Sequence, residues 1–204
     1  ERPQQTRALL RLLDTAARLG DRLFILGDLF EYWLGDDDDA PPHDVVTDAL
    51  GRYAANGGEA AIMHGNRDFL IASAFCERTD CTLLPDPCAL ALGEQRALLM
   101  LARPLEERRA LARQLRDTSR AETGGKAEAI MDVDQGTVER YMRDHDCRLL
   151  IHGHTHRPAD HAFELDGAPA LRLVLNDWYE DDGLLRWTGA SYRRMRVSEY
   201  AALA

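Results

Sequence analysis

The stretch LLIHGHTHRPA, residues 149–159, sets His152, His154 and His156 at every second position directly after an apolar run. Side chains alternate between the two faces of an extended backbone, so imidazoles two apart project together and can converge on a single point. Three of the seven histidines of the chain fall in this one segment. Neutral imidazole is the commonest metal ligand, Gly153 lets the backbone come close to an ion, and Pro158 ends the segment. The competing reading is a polar turn with incidental histidines. One loop cannot close a metal shell, so a metal site here requires partners from elsewhere in the chain.

The pattern on either side shows where partners could come from. Leucines at helical spacing predict a helix over 4–19, ended by Gly20. The apolar run RLFIL (22–26) reads as a buried strand that stops at Gly27-Asp28. A helix over 43–56 and the strand EAAIM (59–63) follow, the latter stopping at HGNRD. Further strands are expected near 82–92 and 95–100 and over 147–151, helices near 104–118 and 134–145, and several short strands between Ala159 and Val197. Helices alternate with strands early and strands run together late, which predicts two packed sheets flanked by helices. Ligand sites in such folds lie beyond the carboxyl ends of strands, so Gly27-Asp28, Gly65-Asn66-Arg67-Asp68 and Gly153-His154-Thr155-His156 are expected to meet. An Asp carboxylate, an Asn amide oxygen and two imidazoles form a mixed oxygen and nitrogen set that suits Mn²⁺, Fe²⁺ or Zn²⁺ better than Ca²⁺.

Composition bounds the possibilities. The chain has 204 residues, 45% hydrophobic and 29% charged, enough for one domain with a sizeable core, and one compact domain over 1–204 is expected. Its net charge of −10 argues against a general nucleic-acid binder and leaves any anion site local. Cys76, Cys81, Cys88 and Cys147 form no C-x-x-C pair, and without a secretory signal in the sequence, reduced thiols of a cytosolic protein are expected. No window approaches 18 consecutive apolar residues, so no membrane span is expected, although peripheral attachment stays open.

The ordered set GD, GNxD, GHxH resembles the calcineurin-like metallophosphoesterases, whose pattern is D-x-H, GD, GN[H/R][D/E], H and GHxH. ILGDLFEYWLGDDD (25–38), HGNRDFL (64–70), AIMDVDQ (129–135) and LLIHGHTHRP (149–158) are similar, within that superfamily, to the UDP-2,3-diacylglucosamine hydrolases of lipid A synthesis, which have Arg where most of the superfamily has His. The resemblance covers most of the chain. It implies an α/β fold, a four-layer α/β/β/α sandwich with a helical lid insertion, and two divalent metal ions, Mn²⁺ foremost. It implies that Asp28 bridges the metals, that Asn66 binds the second, and that His154 and His156 complete the shells, with Asp28, Asn66 and Arg67 serving catalysis and Asn66, Arg67 and His154 also touching substrate. His152 matches a position that is not a ligand. Arg67 would pair its planar fork of donors with phosphate oxygens; the plainer alternative is a surface ion pair with Asp68 or a neighbour.

The span 101–130 is basic within an acidic chain, and Leu101, Leu105, Ala112 and Leu115 share a helical face. By residue pattern alone, a core-packing helix and an interfacial helix fit equally. The resemblance assigns 101–130 to the lid, with Ser119, Thr123 and Lys126 at substrate-contacting positions, although Thr123 replaces the usual Asn. It also implies a UDP-linked diacylated glucosamine as substrate, peripheral contact with lipid at the cytoplasmic face of a bacterial inner membrane, and no nucleic-acid or protein partner. Asp36 to Asp39 reads as a solvated turn, and Trp33 and Trp178 as packing residues. Two motif elements have no counterpart: the D-x-H, since Glu1 already falls in the following helix, and the His-Gly-Asp expected after RALLM, where Met100 runs straight into Leu101. Chain reversal normally needs turn residues, so a join across roughly thirty absent residues is expected there. The alternatives are a metal-dependent pyrophosphate hydrolase, a catalytically degenerate binding homologue, and a metallophosphoesterase acting on other nucleotides or phosphodiesters.

Overall fold

The computed structural model describes residues 2–101, 134–153, 155, 157–179, 181–189 and 191–204. Helix α1 (Pro3–Leu19) carries Pro in its first turn, where no N–H is missed, and closes on Gly20, whose φ of 68° is left-handed. Its leucines face inward over a parallel three-stranded sheet of β1 (Leu23–Leu26), β2 (Ala60–Met63) and β3 (Thr82–Leu84), in that order. The crossovers are α2 (His43–Ala55) and α3 (Ser73–Thr79). A second sheet, in the order β4-β5-β6-β8-β7, comprises β4 (Cys88–Leu92), β5 (Gln95–Met100), β6 (Leu149–His152), β7 (Ala159–Leu165) and β8 (Ala168–Val174). Its centre, β5-β6-β8, is parallel and both edges are antiparallel. Helix α4 (Gln135–Asp144), the hairpin β9 (Gly183–Thr188) and β10 (Ser191–Arg196), and α5 (Val197–Ala201) complete the described elements.

Three apolar cores define four layers. Leu12 and Leu13 of α1, Leu50 and Tyr53 of α2 and Phe75 of α3 pack with Ile62 on the outer face of the first sheet. Leu26 and Met63 meet Leu99, Ile151 and Leu173 between the sheets. Val138 and Met142 of α4 cover Leu98, Met100 and Leu150 on the outer face of the second. Helix, sheet, sheet and helix is the expected α/β/β/α order. Among the described residues β1 pairs only with β2 and β9 only with β10, and between them lies a cavity of about 640 Å³. Leu9 and Leu12 of α1 and Leu184 of β9 line it, and Asp28, Arg67 and Tyr179 border it.

Two expectations are corrected, and one helix is new. The strand expected near 82–92 is two strands in different sheets, because Asp86-Pro87 breaks the run: Pro lacks the N–H that a continuing ladder needs. Helix α3 has no counterpart in the sequence reading. Asp36 to Asp39 is the expected solvated turn only at Asp37 and Asp39, which are exposed, whereas Asp36 and Asp38 are half-buried and hydrogen-bonded. Asp36 accepts hydrogen bonds from the Trp33 indole N–H at 3.1 Å, the Ala72 N–H at 3.0 Å and the Phe75 N–H at 2.9 Å in the first turn of α3. Asp38 accepts from the Ala40 N–H at 3.2 Å and lies 3.0 Å from Nδ1 of buried His43. Trp33 is buried, stacked on Phe30 at 4.6 Å, and Trp178 packs against the first core. The helix expected near 104–118 and the lid lie outside the described residues.

Asp36→Ala is expected to cost about 1–3 kcal/mol of unfolding free energy, since it strips three donors of one acceptor at the end of α3. Urea denaturation followed at Trp33 fluorescence measures it; an unchanged midpoint would show that solvent replaces the carboxylate without loss.

Candidate active site

Three turns at the carboxyl ends of β1, β2 and β6 come into contact. After β1, Gly27 and Asp28 both have positive φ, 81° and 50°. Asp tolerates this left-handed conformation better than most residues, and such backbone concentrates at functional sites. After β2, Gly65 lies so close that a Cβ added to it would sit 2.1 Å from the Asp28 backbone N and 2.1 Å from its Oδ1. Glycine is required there by contact. After β6, a Cβ on Gly153 would meet the Leu26 carbonyl oxygen at 3.3 Å. Leu101, at the end of β5, fills the remaining space, its Cδ1 2.8 Å from the Cβ position of Gly27 and 3.7 Å from that of Gly153.

Asp68 fastens the first two turns together. Its side chain is fully buried; Oδ1 accepts the Gly65 N–H at 2.6 Å and Oδ2 the Phe30 N–H at 3.3 Å. Burial pushes its carboxyl above the ordinary range and the Asp28 charge adds to this, while the Gly65 N–H works the other way. Asp28 itself is exposed, and its Oδ1 accepts the Arg67 backbone N–H at 3.1 Å. Trp33 N–H donates to the Arg67 carbonyl at 3.1 Å, so the backbone at Arg67 is fixed from both sides.

Asp28, Asn66 and Arg67 are thereby brought to one surface, all three exposed. His154, His156, Ser119, Thr123 and Lys126 lie outside the described residues. Among the described residues no group of three or more His, Cys, Asp or Glu side chains is arranged to hold a metal. His152 is 1% exposed and points into the protein: Arg172 Nε donates to its Nε2 at 3.0 Å, which leaves the ring hydrogen on Nδ1 to donate to the Gly153 carbonyl at 3.0 Å. Thr155 N–H also donates to that carbonyl at 3.0 Å. The four thiols are free, and burial raises each of them, so none is an activated nucleophile.

Two side chains at this surface escaped the sequence reading. The Arg67 guanidinium forms its ion pair with Glu31 rather than with Asp68, and it faces the Tyr179 ring at 5.5 Å. Nothing in the local pattern marks either residue, since Glu31 lies in the loop after β1 and Tyr179 in the approach to β9. The loops that carry Asp28 and Arg67 also expose apolar side chains, Tyr32 at 49%, Leu34 at 74%, Phe69 at 61% and Leu70 at 45%.

No family model matches the chain. It is 42% identical over 213 residues to the UDP-2,3-diacylglucosamine hydrolase of Aeromonas hydrophila, an alignment covering 91% of this chain and 88% of that protein. The chain belongs to the UDP-2,3-diacylglucosamine hydrolase family. The family member from Pseudomonas paraeruginosa is 47% identical over 207 residues, covering 87% of this chain and 86% of its own. Membership in the UDP-2,3-diacylglucosamine hydrolase family makes this chain a hydrolase. Among solved structures an archaeal phosphodiesterase superposes with a TM-score of 0.54 over 93% of this chain and 92% of its own, at 9% identity, a likeness of fold alone.

Proposed function

We propose that the chain hydrolyses the pyrophosphate bond of UDP-2,3-diacylglucosamine, yielding 2,3-diacylglucosamine 1-phosphate (lipid X) and UMP in lipid A biosynthesis. It works as a single domain over 1–204 with the lid at 101–130, held peripherally at the cytoplasmic face of the bacterial inner membrane without a protein or nucleic-acid partner. No helix among the described residues is long and apolar enough to cross a membrane. The observation that carries this reading is the placement of exposed Phe69 and Leu70 on the same turn as Arg67, beside Asp28, in a chain 42% identical to a hydrolase of that name. A hydrolase of water-soluble nucleotides gains nothing from apolar side chains at its phosphate site, whereas a lipid-linked pyrophosphate uses both.

The residues suit two divalent metal ions, Mn²⁺ foremost. The Gly65 cradle presses against the Asp28 carboxylate, and Asn66, His154 and His156 would add oxygen and nitrogen donors of the kind such ions accept, while the D-x-H and His-Gly-Asp donors of the motif have no counterpart in this sequence. Bound there, the metals would neutralise phosphoryl charge and acidify water. Asp28 is oriented for this by its left-handed turn and by the Arg67 N–H. Arg67 offers planar N–H donors to the phosphate oxygens on which charge develops. Ser119, Thr123 and Lys126 contribute contacts to the sugar and phosphate of the substrate. One water adds across the P–O–P bond and two phosphomonoesters leave.

With Mn²⁺ present, kcat/KM for UDP-2,3-diacylglucosamine is expected to exceed that for UDP-N-acetylglucosamine by about 10²-fold or more, since sheltering only four methylenes contributes roughly 3 kcal/mol. Phe69→Asp and Leu70→Asp should each erode that preference. Comparable values for the two substrates in the unaltered protein would overturn the lipid reading, and binding without turnover would favour a degenerate homologue.

A further inference from the structure

Resting on the pyrophosphate reading above, we propose that Glu31 is a positioning residue: it fixes the Arg67 guanidinium in the orientation that meets the phosphate. Its carboxylate is shared between two cations. Oε2 pairs with Arg67 Nη1, and Oε1 with Arg2 Nε at 2.9 Å. Tyr179 supplies a plane behind both, its ring 3.8 Å from the Arg2 guanidinium carbon and 5.5 Å from that of Arg67. Arg2, at the N-cap of α1, and Gln5, in its first turn, donate to the Tyr179 carbonyl at 3.4 Å and 3.1 Å. The ring is delivered by Trp178, which holds φ at 56°, a conformation a bulky residue seldom adopts, and is tethered by its indole N–H to the Gly183 carbonyl at 2.6 Å.

Charge decides what Glu31 does. A lone carboxylate beside Arg67 would compete with phosphate and quench it. Two guanidiniums on one carboxylate leave the group net positive, so Glu31 orients Arg67 without cancelling its attraction for an anion. Glu31 and Arg67 are each about 40% exposed, at 40% and 43%, so the pair contributes little to stability, and its value lies in geometry. The pair occupies one guanidinium nitrogen, leaving the other N–H donors of the fork to be aimed by the same contact.

The test is a double-mutant cycle on the full chain. Glu31→Ala is expected to lower kcat roughly 10- to 100-fold with KM nearly unchanged, the scale of a misplaced catalytic group. In the Arg67→Ala background the same change should cost less than about twofold, because Glu31 acts only through Arg67. Glu31→Gln, which keeps an acceptor oxygen, should recover part of the rate. Added guanidinium ion should rescue Arg67→Ala where Glu31 is present and fail in the double variant. An unchanged kcat in Glu31→Ala, or an equal loss in both backgrounds, overturns the proposal. The cycle is repeated on the affinity for inorganic pyrophosphate, measured by calorimetry. Absent turnover of the lipid substrate by the unaltered protein sinks the functional reading alone, while the pyrophosphate cycle still decides whether Glu31 works through Arg67.

Discussion

Chelation of divalent metal is expected to abolish hydrolysis of UDP-2,3-diacylglucosamine, with Mn²⁺ restoring it. The basis is that Asp28 is an exposed carboxylate presented at the meeting point of three strand ends by a backbone conformation that only a firmly held turn sustains. Charge stabilisation by metal is worth several kcal/mol, so the loss should reach about 10³-fold or more. Asp28→Ala should reproduce it at any metal concentration. The fold should survive with a loss of about 1 kcal/mol, because Asp28→Ala frees the Arg67 N–H and strains the left-handed turn while Asp68 still holds that turn to Gly65 and Phe30. Rate assays after exhaustive dialysis against chelator, with and without Mn²⁺, measure the effect. Undiminished turnover after metal removal would refute the metal site altogether.

Arg67→Ala is expected to reduce kcat about 10²- to 10³-fold, as removing one preorganised donor from a developing charge typically does. The backbone at Arg67 is held through its N–H on Asp28 and its carbonyl on Trp33, neither of which the substitution touches. The melting temperature and metal content should therefore stay close to those of the unaltered protein. Arg67→Lys should recover only part of the loss, since an ammonium keeps the charge but lacks the planar fork. Steady-state kinetics with a thermal melt on the same preparations measure both halves. Near-normal turnover would return Arg67 to an ordinary surface ion pair with Glu31.

The parts of the molecule legible in the sequence were those governed by local pattern. α1, β1, α2, β2 and β6 follow from hydrophobic periodicity and from Gly and Asn stops, and the two-sheet arrangement follows from their order. The meeting of the Gly27, Gly65 and Gly153 turns was legible because each glycine lies just beyond the carboxyl end of a short apolar strand. What escaped depends on contacts across the fold. α3 has only seven residues, too few to show a periodic face, and takes its cap from Asp36, far back in the chain. The break between β3 and β4 is visible as Asp86-Pro87, but nothing local says that the two halves enter different sheets. Glu31 lies within ILGDLFEYWLGDDD and Tyr179 outside any motif, but nothing in the sequence pairs either with Arg67, and only the folded chain sets them beside it.

Leu101 sits at the junction where β5 gives way to the 102–133 segment, and it is 2% exposed between Gly27 and Gly153. Its position ties the history of this sequence to its geometry. A methyl gained at Gly27 would strike the leucine, would press on the Gly65 backbone at 3.1 Å and would be strained by the left-handed conformation, so Leu101 adds to a constraint that the backbone already imposes. A methyl at Gly153 would meet Leu101 at ordinary contact distance, so the third turn has more latitude. Trimming Leu101 to admit a larger residue at position 27 would open a void under two turns at once. Such a neighbourhood resists stepwise change: a substitution at Gly27 must be matched by one at Leu101, and the change at Leu101 disturbs the Gly153 turn as well.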